Sequence, residues 1–163
     1  MINLEELFIA QKLLDDRIVD AHNLYQEDLL PKKILALQVE LGELANELPE
    51  VFKFWSNKKN NYDKALIEYC DGLHFILSIG NDLELNIEGY TILPFEHKTI
   101  LDQFSRTYYV ISDLEHDPSQ SELILVLQHF IALGEILGFT PEQIEQSYYA
   151  KNAINHTRQD NSY

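Results

Sequence analysis

Leucines recur at Leu37, Leu41, Leu44 and Leu48, a three-and-four spacing that places them on one stripe of a helix. No run of β-branched residues alternates cleanly with polar ones, so the pattern predicts helices and no sheet. Start and stop signals divide the chain. Asn3 followed by Glu6 reads as a capping box, opening a first helix over about 4–26. Pro31 suits the first turn of a second helix, which Pro49 interrupts before a short turn running to Trp55. Residues 56–62 (SNKKNNY) form a polar loop, and Asp63 is expected to cap a third helix reaching about Glu84. A connector with Gly89 and Pro94 precedes a fourth helix near 95–114. Ser119 and Glu122 form a box for a fifth, which stops at Gly138, and Thr140-Pro141-x-Gln143 starts a sixth. The expectation is an all-α fold: a compact antiparallel helical bundle of about six helices, one domain over 1–163.

Two acidic pairs sit on this frame, Glu40-x-x-Glu43 and Glu68-x-x-Asp71. At i, i+3 both carboxylates of a pair leave one helix face about 5–6 Å apart. Successive residues turn by about 100°, so Glu40, Glu43 and Glu47 lie on the arc beside the leucine stripe. Glu68 points with Gly72, Phe75 and Ile79 on a helix that is apolar almost all round, the mark of a central helix. A carboxylate there is costly unless paired or metal-bound. Four acidic oxygens from two helices suit a hard divalent cation such as Mg²⁺, with Mn²⁺ as substitute. The bland alternatives are solvated surface acids, or salt bridges to Lys53, Lys58 or Lys64.

Charge narrows the function classes. The chain has 27 acidic and 12 basic residues in 163, a formal net charge of −15. That disfavours nucleic-acid binding, which needs a basic surface. It leaves a nucleotide open, because a bound metal reverses the local charge. No run of 18 apolar residues exists, so no membrane span is expected. Met1-Ile2-Asn3-Leu4-Glu5-Glu6 lacks the basic start of a signal peptide, and a single cysteine, Cys70, permits no internal disulfide. A cytoplasmic location is expected. Near the C-terminus, Lys151, Asn155 and Arg158 share one helical arc. They fit either a phosphate clamp or ordinary pairing of cations with a helix C-terminus.

With these residues in view, the chain resembles the dimeric all-α dUTPases, within the all-α NTP pyrophosphohydrolases that include the MazG type. LQVELGELANE (37–47) and IEYCDGLHF (67–75) match the superfamily's Glu-x-x-Glu and Glu-x-x-Asp pattern. QKLLD (11–15), FKFW (52–55) and YYAKNAINHTRQDNSY (148–163) match the dUTPase branch. The segment between Leu83 and Pro118 is short and poor in motif, so embellishments of larger relatives are expected to be missing. The resemblance implies hydrolysis of dUTP, and of dUDP, to dUMP. It implies Mg²⁺ held by Glu40, Glu43, Glu68 and Asp71, with Glu43 as the base. It tips Lys151, Asn155 and Arg158 toward substrate binding, and it adds Gln11, Lys53, Trp55 and His74. Gln11 and Asn155 carry amides able to read a uracil edge. A homodimer is implied, with Tyr108, Phe130 and Ile131 as candidate interface residues.

Other readings stay beside this one. A pyrophosphatase for another nucleoside triphosphate needs the same acids. A carboxylate-bridged di-iron bundle uses Glu-x-x-His pairs, of which only Asp71-x-x-His74 is a partial match. A regulatory module binding a repressor or other protein would use the acidic surface itself. Glu47 is either a solvated acid or an orienting group for Lys or Asn.

Overall fold

The structure is a computed structural model that describes residues 2–89 and 91–161. Among them the chain forms seven helices and no strand: α1 (Leu4–His22), α2 (Leu30–Glu47), α3 (Pro49–Phe52), α4 (Tyr62–Asp82), α5 (Ile100–His116), α6 (Gln120–Ile136) and α7 (Pro141–Asp160). The element beyond the expected six is α3, one helical turn that ends at Phe52 within the short turn expected to run from Pro49 to Trp55. Leu48 and Pro49 are buried, which fixes that turn against the bundle.

Local chemistry explains most boundaries. Asn3, Ser119 and Thr140 each accept a backbone N–H from the third helical residue, as their sequence signals predict. Only Thr140 and Gln143 complete the reciprocal box. Asn3 instead gives its own N–H to Glu145 on α7, tying the chain's start to its last helix. Three ends differ from expectation. α1 stops at His22 because Asn23 adopts the left-handed conformation and closes the helix onto Val19. α4 begins one residue before Asp63, capped by Asn61 through Lys64 N–H. α5 begins at Ile100, not near Phe95, because Thr99 caps it through Asp102 N–H. The preceding strip is pinned by fully buried Gln103, which accepts from His97 N and donates to the carbonyls of Phe95 and His129.

α4 is the central rod. It packs against α1, α2, α6 and α7, and eleven of its residues are buried. Its direction against α2 is set at both ends. Asn61 N–H bonds Glu47 O where α2 ends and α4 starts, and Lys33 pairs with Asp82 at 2.6 Å at the other. The two helices therefore run antiparallel and bring their acidic faces together. α7 instead runs alongside α1 in the same sense. Asn3 meets Glu145 near both starts, while Arg17 bonds Asp160 and His22 bonds Gln159 near both ends. The C-terminal segment is helical to Asp160 and tied to α1.

The core contains the leucine stripe, Tyr69, Tyr148 and Phe130. Tyr69 stacks on Phe130 at 4.4 Å and donates to its carbonyl. Phe130 is therefore a core residue and not the interface residue suggested by sequence; α6 is apolar over most of its surface, and the tertiary contact decides which side is covered. Small residues permit this packing: a Cβ on Gly134 would lie 2.7 Å from the Tyr69 hydroxyl. No single helix among the described residues is long and apolar enough to cross a membrane. Burial pushes the Cys70 thiol up to about 12, so it is not a nucleophile at neutral pH.

Candidate metal and nucleotide site

Antiparallel α2 and α4 place Glu40, Glu68 and Asp71 so that one oxygen from each lies within 4.8 Å of the others. All three are half-buried. Desolvation raises the Glu40 carboxyl to about 7, and the charges of Asp71, Glu43 and Glu68 add to the rise. Glu68 moves the same way, first through desolvation and then through Asp71 and Glu43. Glu43 stands one turn along α2, exposed, outside the trio but near enough to act on both neighbours. One cation meets this charge from the protein itself: Lys151 of α7 is hydrogen-bonded to Asp71.

A carboxyl held near 7 has consequences for stability. Glu40's folded value lies above the ordinary glutamate value of 4.5, so the fold holds a proton that the unfolded chain has already lost. That contribution is complete below about 4.5 and is lost as pH rises through about 7. Glu40→Gln is therefore expected to stabilise the metal-free protein at pH 8, by about 1–3 kcal/mol, and to change little at pH 4.5. Urea unfolding in EDTA at the two pH values checks this. A destabilised Glu40→Gln protein at pH 8 would contradict the electrostatic account.

Beside the acids opens a cavity of about 300 Å³ between α1, α2, α4 and α7. Glu40, Asp71 and Lys151 form one end, with Asn155 and Arg158 on the same α7 arc. Gln11, Asp15, His74 and Ser78 contribute polar groups, and Leu14, Ile18, Val19, Leu29 and Phe75 contribute apolar wall. Arg158 donates to Asn155 Oδ1 at 3.3 Å. His74 is buried and stacked on Tyr148 at 4.1 Å, with Nδ1 2.7 Å from Gln11 Oε1. Burial lowers it to about 4, aided by the charge of Lys151, so the ring is neutral.

Of the residues suggested by sequence, Gln11, Glu40, Asp71, His74, Lys151, Asn155 and Arg158 converge on this cavity, and Glu68 joins them through the acidic trio. Lys53 and Trp55 do not line it. Lys53 donates to Asn46 Oδ1 and lies over the Phe52 ring, while Trp55 is 68% exposed and meets Phe54 edge-on. No histidine belongs to the acidic cluster among the described residues, which removes the ligand a di-iron reading needs. Sequence reasoning gave no site role to Asp15, Lys33, Ser78 or Phe75, although Asp15 closes the QKLLD stretch and Phe75 shares the Glu68 face. Gln11 and Asp15 also share an i, i+4 face.

A larger hollow of about 330 Å³ lies at the other side, bordered by Leu4, Ile92, Ile131 and Phe139, and it holds none of these groups. The site is therefore a hard-oxygen cluster joined to a pocket with cations at its mouth and fixed amides along its wall. Residues 3–163 match the family model described as dUTPase. No curated protein matches the chain in a sequence search.

Proposed function

The chain belongs to the dUTPase family and is an all-α dUTP-hydrolysing enzyme; from that premise we propose a Mg²⁺-dependent reaction, dUTP + H₂O → dUMP + pyrophosphate, with dUDP giving dUMP and phosphate. The observation that carries the metal dependence is the acidic cluster. Three oxygens converge within 4.8 Å, and the acids raise one another's pKa while Lys151 opposes the rise. Such a set fits a hard divalent cation. Glu40, Glu68 and Asp71 would hold it, with Glu43 completing the set from the exposed edge. When bound, the cation supplies positive charge against the phosphoryl oxygens.

The chain's own residues do the rest. Glu43 accepts the attacking water's proton as the new P–O bond forms and the α–β phosphoanhydride bond breaks. Its exposure leaves it open to water, whereas Glu40 sits deeper among the acids. Lys151 is a point charge between acids and phosphate, and Arg158 offers a planar fork for phosphate oxygens. Gln11 and Asn155 meet the base or sugar, and Phe75 gives the ring an apolar wall. His74, neutral and buried, holds Gln11.

In its working form we take the protein as a cytoplasmic homodimer, with exposed Tyr108 and partly covered Ile131 among the apolar residues left at the surface. The acidic surface also suits a repressor or other regulatory protein.

The test is product analysis by chromatography. With Mg²⁺, dUTP is expected to give dUMP and pyrophosphate one to one, and dUDP to give dUMP and phosphate. dCTP and dTTP are expected to react far more slowly. Equal turnover of all deoxynucleoside triphosphates would contradict base reading by this pocket and favour a general pyrophosphatase.

A further inference from the structure

Gln11 sits in a hydrogen-bond chain that ends on one carboxylate, Asp15. Its Oε1 faces Tyr148 Oη at 3.0 Å and His74 Nδ1 at 2.7 Å, and its Nε2 faces Asp15 Oδ1 at 2.8 Å. Tyr148 and His74 are ambivalent partners. A tyrosine hydroxyl donates or accepts, and a neutral imidazole does either according to its tautomer. An ionised carboxylate only accepts. Asp15 is the one acceptor-only side chain that meets Gln11 here; the single Tyr148 proton faces two acceptors, Gln11 Oε1 at 3.0 Å and the Leu7 carbonyl at 3.3 Å, and the shorter contact is to Gln11. With Nε2 toward Asp15, Oε1 takes protons from Tyr148 and from His74 Nδ1–H. His74 Nε2 is then the bare nitrogen; it has no hydrogen bond of good geometry among the described residues, and the Tyr148 backbone, which favours a protonated ring, competes with this tautomer. Both acceptor positions of Oε1 are used, and the polar group Gln11 has left for the cavity is its second N–H.

We propose that Asp15 is a positioning residue for base selection: through its bond to Gln11 it makes that amide present a donor, which suits a pyrimidine with a keto oxygen at C4 and opposes one with an amino group there. This rests on the reading that the cavity takes the base of dUTP. Uracil offers an acceptor at C4 and cytosine a donor. An amide locked as donor therefore favours the first by making a bond and opposes the second by facing N–H against N–H.

Placement makes a purely structural role for Asp15 a poor explanation. Its Oδ2 is buried with no hydrogen bond of good geometry and only the nearby Ser78 hydroxyl to relieve it, a costly arrangement for a carboxylate. Burial raises its pKa, while Gln11, Lys33 and Ser78 oppose the rise and Asp82 adds to it. The bond from Gln11, the charge of Lys33 and the Ser78 hydroxyl favour the ionised, acceptor-only form that the lock requires, against burial, which is the larger effect. Asp15→Asn keeps the shape but restores ambivalence: the new amide can donate to Gln11 as well as accept.

Two measurements test the role. ¹⁵N–¹³C NMR of histidine side chains is expected to find His74 as the Nδ1–H tautomer in the unaltered protein and as a mixture of tautomers in Asp15→Asn. The ratio of kcat/KM for dUTP over dCTP is expected to fall about tenfold or more in Asp15→Asn, chiefly through a raised KM for dUTP, with the thermal midpoint not lowered. An Nε2–H tautomer in the unaltered protein overturns the proposal, whether or not the variant folds. So does an unchanged ratio in a folded variant. If the unaltered enzyme shows no preference for dUTP over dCTP, the reading of the cavity as a uracil pocket fails, and the tautomer result still decides the hydrogen-bond chain separately.

Discussion

Glu43→Gln is expected to lower kcat for dUTP by about 10²–10⁴-fold while leaving the Mg²⁺ requirement in place. Glutamine keeps the volume and loses the proton acceptor. Glu43 is exposed and outside the trio of converging oxygens, so its loss takes less from cation binding than loss of a trio member. Glu40→Gln, Glu68→Gln and Asp71→Asn are expected to do the reverse. Each removes an oxygen from the cluster, so the Mg²⁺ concentration for half-maximal rate rises, and part of the lost rate returns at high Mg²⁺. Steady-state rates over a Mg²⁺ titration separate the classes. If Glu43→Gln were rescued by Mg²⁺ and Glu40→Gln were not, the two roles would have to be exchanged.

Removal of the α7 cations gives the second large effect. Arg158→Ala is expected to raise KM for dUTP by about 10–100-fold with kcat changed little, the loss corresponding to one or two charge-assisted hydrogen bonds. Lys151→Ala is expected to raise KM similarly and to act on the acids as well. Lys151 opposes the rise of both Glu40 and Glu68, so without it both carboxyls hold their protons to higher pH. The rate profile of Lys151→Ala should therefore shift to higher pH, and that of Arg158→Ala should not. Point substitutions are cleaner here than truncation, because the same half of α7 bonds to α1 through Asp160 and Gln159. Unchanged KM in both variants would return Lys151 and Arg158 to roles in helix stability.

Much of this arrangement was legible along the chain because it rests on local rules. Cap side chains marked the starts of α1, α6 and α7, and uniform apolarity marked α4 as the central helix. The acidic pairs and the Lys151, Asn155 and Arg158 arc were visible as spacings alone. What escaped depends on neighbours distant in sequence. Phe130 was expected at the surface because nothing local reveals that Tyr69 and Gly72 lie over it. Lys53 and Trp55 follow the acidic helix closely, yet the turn of α3 carries both away from the cavity. Asp15 shows the same limit within a site: its partner Gln11 is one turn away, but its meaning comes from Tyr148 and His74 on two other helices. The start of α5 is different in kind. Thr99 and Asp102 were a local signal, hidden by the apolar residues that precede it.

The central claim is that the cluster of Glu40, Glu68 and Asp71, with Glu43 beside it, makes hydrolysis of dUTP depend on a divalent cation. It is tested most directly by dUMP formation after removal of metal with excess EDTA, followed by stepwise return of Mg²⁺ or Mn²⁺. The account predicts no turnover in EDTA and recovery with either cation. Undiminished dUMP formation in excess EDTA would contradict it.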